Sequence, residues 1–368
     1  MSTPSSAPSG ASVTRQPYGR TADGQDVELF ILTNASGMRV DVITYGATIV
    51  RLFTPDRDGR SADVVLGYDT LAGYEAGSCF FGATIGRFGN RIAGGRFTLN
   101  GETYELPINQ VVEGRPCQLH GGPEGFHRQI WKATPRTGDG VAAVEMKHFS
   151  PDGHMGYPGN VSVTVIYRLL ADNTLEVEFA GETDAPTPLN LTQHTYFNLG
   201  GPAAKPIVDH MVQIAAARYL AVDAGLIPEG PPAPVAATPF DFTAPHAVGE
   251  RINEPGDQLA RGEGYDHCWA LDGVGGEMHP CAVAHDPASG RRLEVTTTEP
   301  GVQFYTGNHL PPEGEPGKSG VRYLPRTGFC LETQRFPDSP NRPDFPDTVA
   351  LPGKPWRSRT RFKFTADE

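Results

Sequence analysis

Basic charge, long apolar runs, paired cysteines and helical periodicity are all scarce in this 368-residue chain, and each shortage removes a class of function. Lys and Arg number 31 against 43 Asp and Glu, a formal net charge of −12. Nucleic acid and anionic membrane surfaces call for a basic footprint, so neither is an expected partner. No apolar run approaches the roughly 20 residues of a membrane span. The five cysteines, Cys79, Cys117, Cys268, Cys281 and Cys330, are odd in number and form no CxxC pair. That argues against a disulfide framework or a structural zinc site and makes a reducing cytoplasm the expected compartment. The opening "MSTPSSAPSGASVTRQPYGR" has no apolar h-region of a signal peptide, and its Ser, Pro and Ala content predicts a flexible tail over residues 1–20. N-x-S/T triplets at Asn34, Asn160 and Asn190 then read as chance matches, because glycan acceptors matter only in a secreted chain. With no GxSxG, HExxH or HxH pattern present, serine-hydrolase and typical zinc chemistries have little support.

What the chain does have is a composition of 38% hydrophobic and 20% charged residues, that of a folded protein with a substantial core. Its 44 glycines and 34 prolines, spread without period, imply many turns between short elements. Period-2 alternation recurs in "DVELFILT", "MRVDVITYG", "VSVTVIYRLL", "TLEVEFAGET" and "RRLEVTTT", all rich in β-branched and aromatic residues, and predicts strands. The "ADN" between "VTVIYRLL" and "TLEVEFAG" predicts an antiparallel hairpin. Short helical turns are expected only around residues 70–77. Residues 223–265 are the least periodic and suggest a functional loop or a linker. In "WRSRTRFKF" the arginines and lysine share one strand face; this segment reads as a charged outer strand that resists edge pairing, or as an anion-binding edge. The expected fold class is all-β, one large antiparallel β-sandwich over residues 21–368, with two stacked sandwiches as the alternative.

The candidate chemistry is concentrated in a few segments. In "LNLTQHTYFNLGG", residues 189–201, Asn190, Thr192, His194, Tyr196 and Asn198 occupy every second position, so a strand would gather them on one face. That row faces either water or a pocket, and His194 is ordinary or catalytic accordingly. Glu332, in "RTGFCLETQRFP", is flanked by Phe329, Cys330 and Leu331; apolar surroundings raise a carboxyl group's pKa and suit it to take a proton near neutral pH. The alternative is a strand carboxylate held by Arg326 or Arg335. In "CQLHGGPEGFHRQIW", two glycines after His120 permit close backbone approach to a ligand, while His127 reads as structural. "GATIGRFGNRIAGGRF" joins glycines to Arg87, Arg91 and Arg96 without the strand-to-helix switch of a P-loop; sugar or carboxylate binding by Asn90 and Arg91 is as plausible as phosphate binding. In "GEGYDHCWAL", Asp266 and Cys268 share one face and His267 and Trp269 the other. Such a kit suits proton shuttling on a polar substrate without a cofactor, and a pair of carboxylates such as Glu332 and Asp266 would also suit glycoside cleavage.

These segments together, "VITYGATIVRLFTPDRDG", "VVLGYDTLAGYE", "GRFGNRIAGGRF", "LHGG", "SPDGHMGYPGN", "LTQHTYFNLGG", "GYDHCWAL", "EPGVQFYTGN" and "GFCLETQRFPDSPNRPDFP", resemble the aldose 1-epimerase (galactose mutarotase) family across nearly the whole chain. The resemblance implies a supersandwich fold, no metal and no organic cofactor, and interconversion of the α and β anomers of a free aldose such as galactose or glucose. It implies His194 as general acid on the ring oxygen and Glu332 as general base on the C1 hydroxyl. His120 enters with that catalytic pair and also as a sugar-binding residue, beside Asn90, Arg91, Asp266 and Gln303, with Tyr196 as a further wall. The partner is then a small free sugar, handled by a monomer or homodimer. The chain departs from the family pattern in "INQVVEGRPCQLHGG", in the His-Met of "SPDGHMGYPGN", and in Cys268 and Trp269, all of which bear on which sugar fits. A non-catalytic sugar-binding protein and a mutarotase for a phosphorylated aldose, with Arg87 and Arg96 meeting the phosphate, are the competing readings.

Overall fold

The structure is a computed structural model that describes residues 10–202, 205–273 and 275–367. Three antiparallel sheets carry it. The largest has nine strands, in the spatial order Lys132–Gly138, Val141–Ser150, Val161–Leu169, Thr174–Thr183, Trp356–Ala366, Arg291–Thr297, His279–His285, Met211–Ile214, His246–Ala247. A six-stranded sheet runs Tyr196–Phe197, Phe329–Gln334, Gly301–Tyr305, Asp266–Ala270, Arg218–Tyr219, Ala233–Pro234, and a five-stranded meander runs from Ser12–Arg20 to Ser61–Asp63. Alternation places one face of each sheet inward, and a continuous apolar core joins all three: Phe362 and Val177 from the nine-stranded sheet, Phe304 and Leu331 from the six-stranded, Phe30 and Leu52 from the meander. The layers are stitched by aromatic contacts such as Phe197 against Phe362, with centroids 5.7 Å apart.

The hairpin expected across "ADN" is present, Val161–Leu169 pairing with Thr174–Thr183, and Asn173 takes the left-handed conformation that the tight turn needs. The helical turn expected near residue 70 is Leu71–Ala76, started by the Thr70 side chain accepting from the Gly73 N–H. The interval from residue 223 to 265 is less bare than its sequence suggests, since it holds the short helices Val248–Arg251 and Asp257–Gly262.

Two expectations need correction. The tail expected over residues 1–20 is a strand from Ser12 to Arg20, paired antiparallel with Asp26–Thr33; residues 1–9 lie outside the described part. As the outermost strand of its sheet it accommodates Pro17, whose missing N–H and local register shift cost little there. The C-terminal strand is not an outer strand. Trp356–Ala366 lies between Thr174–Thr183 and Arg291–Thr297, and its arginines pair with acids of the neighbouring strand rather than guard an edge: Arg361 Nε is 2.7 Å from Glu176 Oε2, and Arg357 and Arg359 each reach Glu178 at 3.2 Å.

Candidate active site

Register in the six-stranded sheet builds the floor of a cleft. Asp266 pairs with Tyr305, Tyr305 with Cys330 and Cys330 with Tyr196, while Glu332 pairs with Gln303 and Gln303 with Cys268. Because directly opposed residues share a face, all these side chains stand on one side of the sheet, and Phe197, Trp269, Phe304, Phe329 and Leu331 stand on the core side. Thus only Cys330 of the three expected apolar flanks shares the face of Glu332. Phe329 and Leu331 point the other way, and the carboxyl group is desolvated by depth, at 2% exposure, rather than by its sequence neighbours.

The wall is made by two tight turns locked together. Asn90 and His120 both have positive φ; the His120 N–H donates to the Asn90 carbonyl at 3.0 Å, and the Asn90 N–H donates to His120 Nδ1 at 3.1 Å. That second bond fixes the tautomer, so His120 carries its proton on Nε2 and acts as a donor. Gly121 follows because its backbone runs against Gly86; a Cβ there would lie 2.0 Å from the Gly86 carbonyl oxygen.

The segment at 189–201 does not form one strand. Thr192–His194 pairs with Ala83–Ile85, whereas Tyr196–Phe197 joins the six-stranded sheet. The polar row is therefore divided. His194 and Tyr196 line the cleft, their rings 5.1 Å apart and nearly parallel, but Asn190 bonds the backbone of Gly89 and Arg335, Asn198 bonds that of Thr327 and Lys205, and Thr192 is buried with no partner.

The cleft, of about 170 Å³, collects Asn90, Arg91, His120, His194, Tyr196, Asp266 and Glu332. At its base His194 Nε2 lies 3.6 Å from Glu332 Oε1, and Glu332 Oε2 is buried with no hydrogen-bond partner. Burial pushes the Glu332 carboxyl well above its ordinary range, with Asp266 adding to the rise and Arg91 opposing it. Burial pushes His194 down to about 4 and His120 well below its usual value. Both shifts favour the neutral forms, a carboxylic acid beside a neutral imidazole. Asp266 behaves oppositely: burial pushes it up, but His309, Arg91 and Gln303 outweigh this and hold it well below the carboxylate range.

Gln303 stands behind this wall, its Nε2 donating to Asp266 Oδ1 at 2.7 Å. Neither arginine expected to hold Glu332 does so; Arg335 faces Glu299 at 3.3 Å and Arg326 bonds Asn253. Arg87 is enclosed, its donors taken by Ser150 and the Pro151 and Pro158 carbonyls, so it does not reach a phosphate in the cleft. His127 packs edge-on against Phe80. Among the cleft residues not legible in the sequence are Phe80, turned inward by a positive φ; Gln110, whose Oε1 accepts from Arg91 Nε at 2.8 Å; and His309, which immediately follows "FYTGN". Donor atoms of His120, His194 and Glu332 lie within 4.8 Å of one another, a spacing a divalent ion could use. However, the Asn90 N–H leaves His120 presenting Nε2–H rather than a lone pair, which does not fit a metal ligand.

A profile described as aldose 1-epimerase matches residues 28–363. The chain belongs to the aldose 1-epimerase family. It is 45% identical over 357 residues to galactose mutarotase of Homo sapiens, covering 96% of this chain and 99% of that one, and 37% identical over 347 residues to aldose 1-epimerase of Escherichia coli K12, covering 94% and 97%. The crystal structure of galactose 1-epimerase from Lactobacillus acidophilus NCFM superposes with a TM-score of 0.85 at 29% identity, covering 97% of this chain and all of that one. Membership makes the protein an isomerase of the mutarotase type, and the family's β-rich fold is the one described above.

Proposed function

We propose that this epimerase interconverts the α and β anomers of a free aldose such as galactose or glucose, with Glu332 as general base on the C1 hydroxyl and His194 as general acid on the ring oxygen. The observation that carries this reading is the opposed pair at the base of the cleft, His194 Nε2 against Glu332 Oε1 at 3.6 Å with one carboxyl oxygen unpartnered. A C1 hydroxyl donating to Glu332 favours its ionised form, and a ring oxygen accepting from His194 favours the imidazolium. Sugar binding therefore moves the pair's single proton from carboxyl to imidazole without proton uptake from solvent. Transfer of the hydroxyl proton to Glu332 and of the imidazolium proton to the ring oxygen opens the hemiacetal; rotation about C1–C2 and reversal of both transfers closes the other anomer. Asn90, Arg91, His120, Asp266 and Tyr196 supply the mixed donors and acceptors that a ring of hydroxyls requires, and Gln303 acts by holding Asp266. Polarimetry of freshly dissolved α-D-galactose and α-D-glucose tests the reading: the wild type should accelerate approach to the equilibrium rotation and Glu332→Gln should not. No acceleration of either sugar by the wild type would overturn it.

A further inference from the structure

The hydrogen bonds around Asp266 leave one of its oxygens open in a specific way. Oδ1 is taken by Gln303 Nε2 at 2.7 Å, whereas Oδ2 is faced by Arg91 Nη2 at 3.7 Å and His309 Nε2 at 3.8 Å, both beyond hydrogen-bond range. A hydroxyl placed in that gap can donate to Oδ2 and accept from the flanking cations. We propose that His309 is a substrate-positioning and specificity-determining residue of the epimerase, whose imidazole, with Arg91 and Asp266, seats one sugar hydroxyl at the cleft mouth.

Three features support this role. His309 lines the same cleft as His194 and Glu332, yet its side chain is 40% exposed, so a sugar can reach it. Tyr305 holds it at two points, the His309 ring lying nearly parallel to that of Tyr305 at 5.8 Å and the His309 backbone N–H donating to the Tyr305 hydroxyl at 2.9 Å. Its charged form is favoured by what faces it: Asp266 on the adjoining strand and Glu263, 3.8 Å from Nδ1, just beyond the helix Asp257–Gly262, outweigh partial burial and Arg91 across the cleft. The contact with Asp266 is the largest influence and raises the imidazole above its ordinary value, so His309 is more readily charged than the buried histidines below it.

This inference rests on the mutarotase reading, and one set of polarimetric measurements separates the two. The wild type, His309→Phe, His309→Gln and Glu332→Gln are compared on α-D-galactose at pH 6.0 and 8.5, with the spontaneous rate subtracted and folding checked by thermal melting. Phe keeps the stacking on Tyr305 and removes the donors; Gln keeps a donor but cannot titrate. His309→Phe is expected to raise KM about tenfold with kcat changed by less than about threefold, the size of one charge-assisted hydrogen bond. His309→Gln should recover part of that loss equally at both pH values. Wild-type KM should rise from pH 6.0 to 8.5 as the imidazolium discharges, and the KM of both variants should not. An active wild type whose KM is matched by His309→Phe at both pH values, or a His309→Phe defect confined to kcat, overturns the role of His309 while leaving the function intact. Full activity of Glu332→Gln instead overturns the acid–base reading.

Discussion

At the scale of the residue, His194 and Glu332 form a buried acid–base pair in which burial raises the carboxyl pKa and lowers that of the imidazole, so each group favours its neutral form. Removing either should cost turnover rather than structure. Glu332→Gln and His194→Ala are each expected to lower kcat by at least about 10²-fold, the lower end of what a general acid or base contributes. Glu332→Gln should melt at or above the wild-type temperature at pH 8. A carboxyl whose folded pKa is raised stabilises the fold while it is protonated and loses that contribution as pH rises, whereas an amide keeps the neutral form at every pH. A variant that retained near-wild-type kcat would remove the assigned role from that residue. The proposed catalytic pair was legible because its residue types and motif flanks survive in one dimension. His309, Gln110 and Phe80 were not, because their place in the cleft comes from turns and from strands far apart in sequence: Phe80 points inward through a positive φ, and His309 matters only because Asp266 is on the neighbouring strand.

At the scale of the element, alternation revealed which residues form strands and which face each presents, but not who the neighbours are. The C-terminal strand shows the limit. Its buried face, Ser358, Thr360, Phe362 and Phe364, was readable from parity, whereas its charged face suggested an edge because the complementary Glu176 and Glu178 sit some 180 residues earlier. The N-terminal strand failed in the opposite direction, its Pro and Gly content masking a pairing that only an outermost strand tolerates. The central placement has a direct consequence. A chain ending at residue 355 would part Thr174–Thr183 from Arg291–Thr297 in the middle of the nine-stranded sheet and expose the inner face on both sides. It should show no cooperative thermal transition, by near-UV circular dichroism or calorimetry. An outer strand could be lost with a lowered but intact transition, and observing one would contradict the central placement.

At the scale of the whole molecule, the two larger sheets are joined covalently at Thr298–Pro300, where the chain leaves Arg291–Thr297 and enters Gly301–Tyr305. Glu299 sits at this crossing, 1% exposed, with neither carboxyl oxygen hydrogen-bonded and Arg335 Nε 3.3 Å away. Burial raises its pKa to about 7, and the Arg335 charge only partly offsets this. The sign follows from linkage: the folded state holds a proton that the unfolded chain releases near pH 4.5, so the contribution of Glu299 is complete below that value and is lost as pH rises through about 7. The full loss is on the order of 3 kcal/mol. Replacing the carboxyl by an amide, Glu299→Gln, removes the titration while keeping shape. The difference in unfolding free energy between variant and wild type, from denaturant titrations at pH 5 and pH 8, should therefore shift in favour of the variant at the higher pH, whatever other groups contribute in common. A difference independent of pH would mean that Arg335 keeps Glu299 ionised throughout, and that the two sheets are joined at this crossing by a buried ion pair instead of a neutral acid.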